Sequence, residues 1–156
     1  MLLLIASYYD IFQILSFVPS PPLTKTHYES LAAFRYALRR FLHFSLDAVR
    51  RARITPQQHQ ALLAIKGFPG RNFVSVGELA ERLQVRHHSV VGLVDRLQRR
   101  GLVRRKPSAR DHRQVEVRLT SAGEEVIERL SAVHLDELRR FGPPLRRLLQ
   151  SIDGNY

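Results

Sequence analysis

Between Ser75 and Gly123 the chain carries a fixed order of local signals, and few folds can accommodate all of them. Ser75-Val-Gly-Glu78 has the spacing of a reciprocal cap, in which the Ser hydroxyl and the Glu carboxylate each satisfy a backbone N–H left without a helical partner. A helix is therefore predicted from Val76, with Val76, Leu79, Ala80 and Leu83 on one face and Glu78, Glu81 and Arg82 on the other. After a turn through Gln84-Val85-Arg86, a second helix opens with His87-His88-Ser89. It puts Val90, Leu93, Val94 and Leu97 inward and leaves His88, Val91, Gly92, Asp95 and Arg99 on an outward stripe. Gly101 ends it, because glycine readily takes the left-handed backbone of a helix C-terminus. Leu102 to Lys106 and Gln114 to Leu119 then alternate, which predicts two antiparallel strands joined by residues 107–113.

Two short helices across a tight turn, followed by a basic hairpin, make a winged helix-turn-helix. The expected class is mainly α with a small β-hairpin. In such an arrangement the second helix enters the major groove of duplex DNA, with its first residues at the base edges and the first helix bracing it. His87, His88 and Ser89 stand at that leading end. Arg86, Arg99 and Lys106 are assigned to phosphates, and His88, Ser89 and Arg96 to bases. Gly92 has no side chain and lets the helix come close to the duplex. Arg110 and Arg113, at the hairpin tip, suit the narrow, strongly negative minor groove, and Asp111 can hold an arginine in one orientation by a charge-assisted hydrogen bond.

Charge points the same way. Of 156 residues, 25 are Lys or Arg and 14 are Asp or Glu, a formal net charge of +11. Ten of the bases and three of the acids lie between Arg86 and Arg118, so seven of the eleven net charges fall in the proposed DNA-reading segment. The absence of cysteine excludes disulfides, thiolate metal sites and a cysteine nucleophile, and the only methionine is Met1. Seven histidines raise the question of a metal. His87 and His88 are adjacent, so on a helix they point about 100° apart, and no His-x-x-x-His pair occurs. No metal centre and no cofactor are expected. With no glycine-rich phosphate cradle, no paired carboxylates and no nucleophile elbow, no catalytic residues are assigned either.

Leu93-Val-Asp-Arg-Leu97, Arg100-Gly-Leu-Val103, Asp111-His-Arg113 and Leu119-Thr-Ser-Ala-Gly123, in that order and spacing, resemble the signature of the MarR (multiple antibiotic resistance regulator) family over about Tyr28 to Ile152. The resemblance implies a homodimeric bacterial transcription factor, usually a repressor, cytoplasmic and associated with the nucleoid. It also implies release from DNA by a small molecule or by oxidation, although the lack of cysteine makes the peroxide-sensing members poor guides. The family's minor-groove arginine falls on Arg113 and its orienting acid on Asp111, while His112 stands where the family has a second arginine. Above about pH 6.5 that departure leaves the wing with less fixed charge.

The segments outside the reading unit are apolar at helical spacing. Leu31, Phe34, Leu38, Phe41, Leu42, Ser45 and Val49 form a stripe from Tyr28 to about Arg51. Thr55-Pro-Gln-Gln58 is a second capping box, opening a helix with Leu62, Leu63 and Ile65. Thr120 caps a long helix with Val126, Ile127, Leu130, Val133, Leu138 and Phe141, predicted to break at Gly142-Pro-Pro144 before a short final helix. Four segments follow: residues 1–27, an apolar extension; 28–54, a dimerisation helix; 55–119, the winged helix-turn-helix; and 120–156, C-terminal dimerisation helices. A twofold dimer would set two reading helices in successive major grooves of a palindromic operator about 10 base pairs apart. The resemblance also places an aromatic or phenolic effector between the dimer helices and the reading head, near Phe41, Phe44 and His59, although aromatic residues at helical spacing equally suit a plain core.

Residues 1–20 are rich in Leu, Ile, Phe and Tyr, yet they lack the basic start of an export signal and carry Asp10, so stable membrane insertion is not expected. An added dimer helix, a peripheral membrane contact and a start site placed too far upstream all fit that stretch. Two further functional readings compete with the DNA regulator. One is a winged-helix module that docks on another protein without sequence-specific DNA binding, the other an enzyme or membrane-surface factor built on the N-terminal segment.

Overall fold

A computed structural model describes residues 23–107 and 115–153. The expected assignments to Arg110, Asp111 and Arg113, and most of the N-terminal extension, lie outside the described residues.

Helix α1 (Lys25–Arg51) starts three residues ahead of the predicted Tyr28, at Thr24, whose backbone N–H donates to His27 Nδ1 at 3.0 Å. It runs along the last helix, α5 (Ser121–Asp153). Between these two arms sits the reading unit: α2 (Pro56–Lys66), β1 (Val74–Ser75), α3 (Val76–Leu83), α4 (His87–Arg99), β2 (Val103–Pro107) and β3 (Val115–Leu119). Both predicted capping boxes form. Ser75 Oγ accepts from Glu78 N–H at 3.2 Å while Glu78 accepts from Ser75 N–H at 2.8 Å, and Thr55 and Gln58 repeat the exchange at 3.2 and 3.0 Å. These bonds satisfy donors that a helix start otherwise leaves bare.

One core lies beneath the two reading helices. Leu62 and Ile65 of α2, Val74 of β1, Leu79 of α3, Val90, Val94 and Leu97 of α4, Val103 and Val117 of the sheet and Ile127 of α5 are all buried. The inward faces expected for α3 and α4 are therefore largely those observed, with Val76 and Leu83 at the rim of the core. The sheet has the order β1-β3-β2, all antiparallel, with Val103 opposite Leu119 and Lys106 opposite Glu116 in the hairpin. The third strand was not expected. Val74 and Ser75 pair with Val117 and Glu116 across only two residues, too short a run to show any alternation.

A second correction concerns the C-terminus. The predicted break at Gly142-Pro-Pro144 does not occur, and α5 runs without interruption through Pro143 and Pro144. Each proline removes a backbone donor, and its ring crowds the residue before it, chiefly through that residue's Cβ. Gly142 has no Cβ, which relieves the first of these clashes. The carbonyls deprived of a partner belong to Arg139 and Arg140, which are exposed and accessible to water.

Where α5 begins it is bolted to the end of the reading helix. Gly101 takes a left-handed φ of 68°, as its position after the helix end requires. Thr120 Oγ1 donates to the Gly101 carbonyl at 2.6 Å and accepts from Gly123 N–H at 3.1 Å, while Thr120 N–H donates to the Leu102 carbonyl at 3.1 Å. A Cβ at Gly123 would collide with that Leu102 carbonyl, so this position excludes every other residue. Among the described residues no helix is long and apolar enough to cross a membrane.

Candidate nucleic-acid interface

The exposed side of the reading unit is built around the start of α4. Gln84 turns the chain with a left-handed φ of 53°, and its side-chain amide donates to the Glu81 carbonyl at 2.7 Å, which holds a non-glycine residue in that conformation. Arg86 is the N-cap, with no side-chain hydrogen bond to the helix and no acid in the first turn. The partial positive charge of the helix start is thus left uncancelled, a setting that favours an anion. Arg86, His87, His88 and Ser89 are all exposed there, Arg96 and Arg99 are exposed further along the helix, and Lys106 is exposed on β2. Eight of the eleven expected DNA-binding residues lie among the described residues: these seven and Gly92. All eight fall on or beside this one face.

Gly92 is half-buried, and a Cβ there would meet Arg96 Nη1 at 3.5 Å. That is ordinary van der Waals contact, and it places the Arg96 guanidinium close over Gly92 on the preceding turn.

Several residues that organise this face were not singled out from the sequence as doing so. Arg105 on β2 reaches across to α4, pairing with Asp95 at 2.7 Å, donating to Gln98 Oε1 at 3.0 Å and approaching the Val91 carbonyl at 3.5 Å. It ties the wing to the reading helix. At the other end of α4, Arg100 donates to Gln58 Oε1 at 2.9 Å, so one glutamine serves both the α2 cap and the α4 terminus. Their separations of 7 to 42 residues exceed any helical or strand period, and no local pattern reveals them.

The three expected ligand residues are drawn together by a fourth. His134 of α5 packs edge-on against Phe41 (6.0 Å between centroids) and Phe44 (5.7 Å), and stacks on His59 at 4.7 Å. Its ring nitrogens meet the Leu130 carbonyl at 2.6 Å and Ser45 Oγ at 2.8 Å. The sequence did hold a signal here, since His134 continues the inward series Ile127, Leu130 along α5. Burial, and secondarily the charge of His134, lower the His59 pKa from 6.5 to about 4, which keeps that ring neutral at pH 7. A neighbouring cavity of about 580 Å³ opens between α1 and α5. Phe44, Ala48, Val126, Leu130 and Val133 supply its apolar lining, with Asp47, Arg51 and Arg129 as its charged groups. Of the three expected ligand residues only Phe44 lines it.

A MarR family model matches residues 54–114, from the end of α1 to the wing. The chain is 37% identical over 84 residues to the transcriptional activatory protein BadR of Rhodopseudomonas palustris, which covers 54% of this chain and 48% of BadR. It is 29% identical over 87 residues to the transcriptional repressor MdtR of Bacillus subtilis, covering 56% of this chain and 54% of MdtR. Over residues 54–114 the chain is similar to the MarR family. Its similarity to the curated relatives spans about half their length. The MarR fold extends further: a substituted MepR from Staphylococcus aureus, solved bound to an oligodeoxyribonucleotide, superimposes with a TM-score of 0.62 over 84% of this chain and 99% of that one, at 20% identity.

Proposed function

We propose that this protein is a homodimeric, sequence-specific transcriptional regulator that represses at a palindromic operator and performs no chemistry of its own. The carrying observation is the start of α4, an exposed, uncapped helix terminus bearing Arg86, His87, His88 and Ser89, with Arg96 and Arg99 behind it and Lys106 on the adjoining strand. In this reading Arg86, Arg99 and Lys106 hold phosphates, His88, Ser89 and Arg96 meet bases, and Arg110 and Arg113, oriented by Asp111, enter the minor groove. The DNA-bound state of MepR, and the names of MdtR as a repressor and BadR as an activator, support DNA regulation as the shared task.

Dimerisation is supported by the arms. Tyr28, Leu31, Leu38 and Leu42 are 45–60% exposed on α1 at the 3- and 4-residue spacing of a helix-pairing seam, and Leu135, Leu138 and Leu149 are similarly bare on α5. Apolar surface of that extent marks an interaction site. An aromatic effector suits the cavity between α1 and α5, where it would act by preferring one spacing of the two heads over the other. A regulator of this kind works in the cytoplasm at the nucleoid.

The test is binding of the purified protein to the DNA upstream of its own gene against random duplex, over a salt series. A preference of about a thousandfold or more, falling steeply with salt, is the expected result. Weak binding to both would overturn the regulator in favour of a protein-docking winged helix.

A further inference from the structure

Five planar groups stack in alternation behind the reading helices. Arg82 Cζ lies 4.4 Å from the Phe68 ring centre, Arg71 lies 4.4 Å from Phe68 and 4.8 Å from Phe73, and Arg118 lies 4.3 Å from Phe73. The members come from three places: Arg82 from α3, Phe68, Arg71 and Phe73 from the connector between α2 and β1, and Arg118 from β3. Two carboxylates brace the stack. Arg71 pairs with Glu78, the residue that also caps α3, and Arg118 donates twice to Glu116 Oε2, at 3.0 and 2.8 Å. Burial alone would raise the Glu78 carboxyl, but the Ser75 N–H, the Arg71 guanidinium and the Ser75 hydroxyl together hold it below the usual glutamate value, so it stays charged beside Arg71.

The position of this stack matters because it lies on the face of β3 that carries Glu116 and Arg118, opposite the face that buries Val117 in the core. β3 meets β1 across two residue pairs only, so side-chain contacts on that face add to a short ladder. The opposite strand, β2, is tied to α4 by Arg105. Arg71 is the central member of the stack, touching both rings and the α3 cap, so its removal would break the side-chain path that joins Arg118 of β3 to Glu78 of the bracing helix.

We propose that Arg71 is a positioning residue for the wing: through the Phe68–Phe73 stack and Glu78 it sets the angle at which the β2–β3 hairpin stands to the reading helix, and it does so without touching DNA. This rests on the DNA-reading function proposed above. The test combines hydroxyl-radical footprinting on the operator, affinity over a salt series, and hydrogen exchange of the β3 amides in the full-length protein, for the wild type, Arg71→Ala and Phe73→Leu.

Arg71→Ala is expected to weaken operator binding about tenfold. It should lose protection in the minor groove flanking each half-site, keep protection where the reading helices sit, and lower the salt slope only as far as the wing arginines leave the duplex. The β3 amides should exchange faster. Phe73→Leu, which keeps an apolar side chain but removes one ring, should shift the same readouts in the same direction, and it carries the test if Arg71→Ala does not fold. An unchanged wing footprint would overturn the proposal. So would a lost wing footprint with β3 exchange unchanged, since that marks a direct contact of Arg71 with DNA rather than an effect through the hairpin. If the wild type protects no operator, the DNA-reading function itself fails, and β3 exchange that is unchanged in both variants would then overturn the clamp independently.

Discussion

The reading head and the arms of this molecule are built to different standards of completeness. In the head, Leu62, Ile65, Leu79, Val90, Val94 and Leu97 are fully or nearly fully enclosed, and α2 and α3 both begin with two-way side-chain caps. In the arms, leucines at 31, 38, 42, 135, 138 and 149 are 42–54% exposed, and the buried positions cluster where α1 and α5 meet the head. A surface made only of polar residues would leave such helices content in water; these are not. Among the described residues the head encloses its apolar side chains, whereas the arms leave apolar surface uncovered. The same difference separates positioning from association: the head gathers exposed cations around the start of α4, while the arms expose rows of leucine beside their own charged residues.

The contrast can be broken first at the joint between the regions. Replacing Gly123 with alanine forces a side chain into the Leu102 carbonyl, where backbone meets backbone and nothing flexible can yield. Thermal or urea unfolding should show a loss of about 4 kcal/mol or more, the range reserved for such severe defects. Next, Leu62→Ala in the head should cost about 3 kcal/mol through lost burial and a residual cavity. Leu42→Ala in the arms should leave the unfolding of the isolated protomer within about 0.5 kcal/mol and instead shift the concentration dependence of sedimentation. Equal effects on protomer stability would erase the distinction between the two regions.

Acid sharpens the comparison at the boundary. His59 is held neutral in the fold, with its pKa lowered from 6.5 to about 4. Between those values the unfolded chain binds more protons than the folded one, so stability is complete above pH 6.5 and declines as the pH falls toward 4, by up to about 3 kcal/mol. His59→Gln should flatten that slope in urea titrations at successive pH values; an unaltered slope would place the titration elsewhere. A smaller loss than that at the core is expected at the α3 cap, where Ser75→Ala should cost about 1 kcal/mol in the same unfolding experiment.

Much of the head was legible because its instructions are local. Ser75 and Glu78, or Thr55 and Gln58, lie three residues apart and meet because a helix start brings that spacing together. Gly101 stops α4 for a reason contained in its own backbone. The opening of α4 at His87 and its stop just before Gly101 followed from such signals. What escaped was either too short or too distant. β1 is two residues long, and its partner Val117 lies far along the chain. His134 meets His59 across two helices, and Arg71 gathers Phe68, Phe73 and Glu78 by stacking, which leaves no periodic trace. The continuous α5 departs from a sound local rule, since the helix runs through Pro143 and Pro144 where the exposed carbonyls of Arg139 and Arg140 can turn to water.

The most direct measurement of the division between reading head and pairing arms is the effect of half-site spacing on operator binding. Inserting 5 base pairs between the two halves turns one of them about half a helical turn, to the far side of the duplex. If two heads are held by one pair of arms, affinity should fall about a hundredfold and return substantially when 10 base pairs are inserted. Binding indifferent to both insertions would contradict a dimer that reads DNA with two fixed heads.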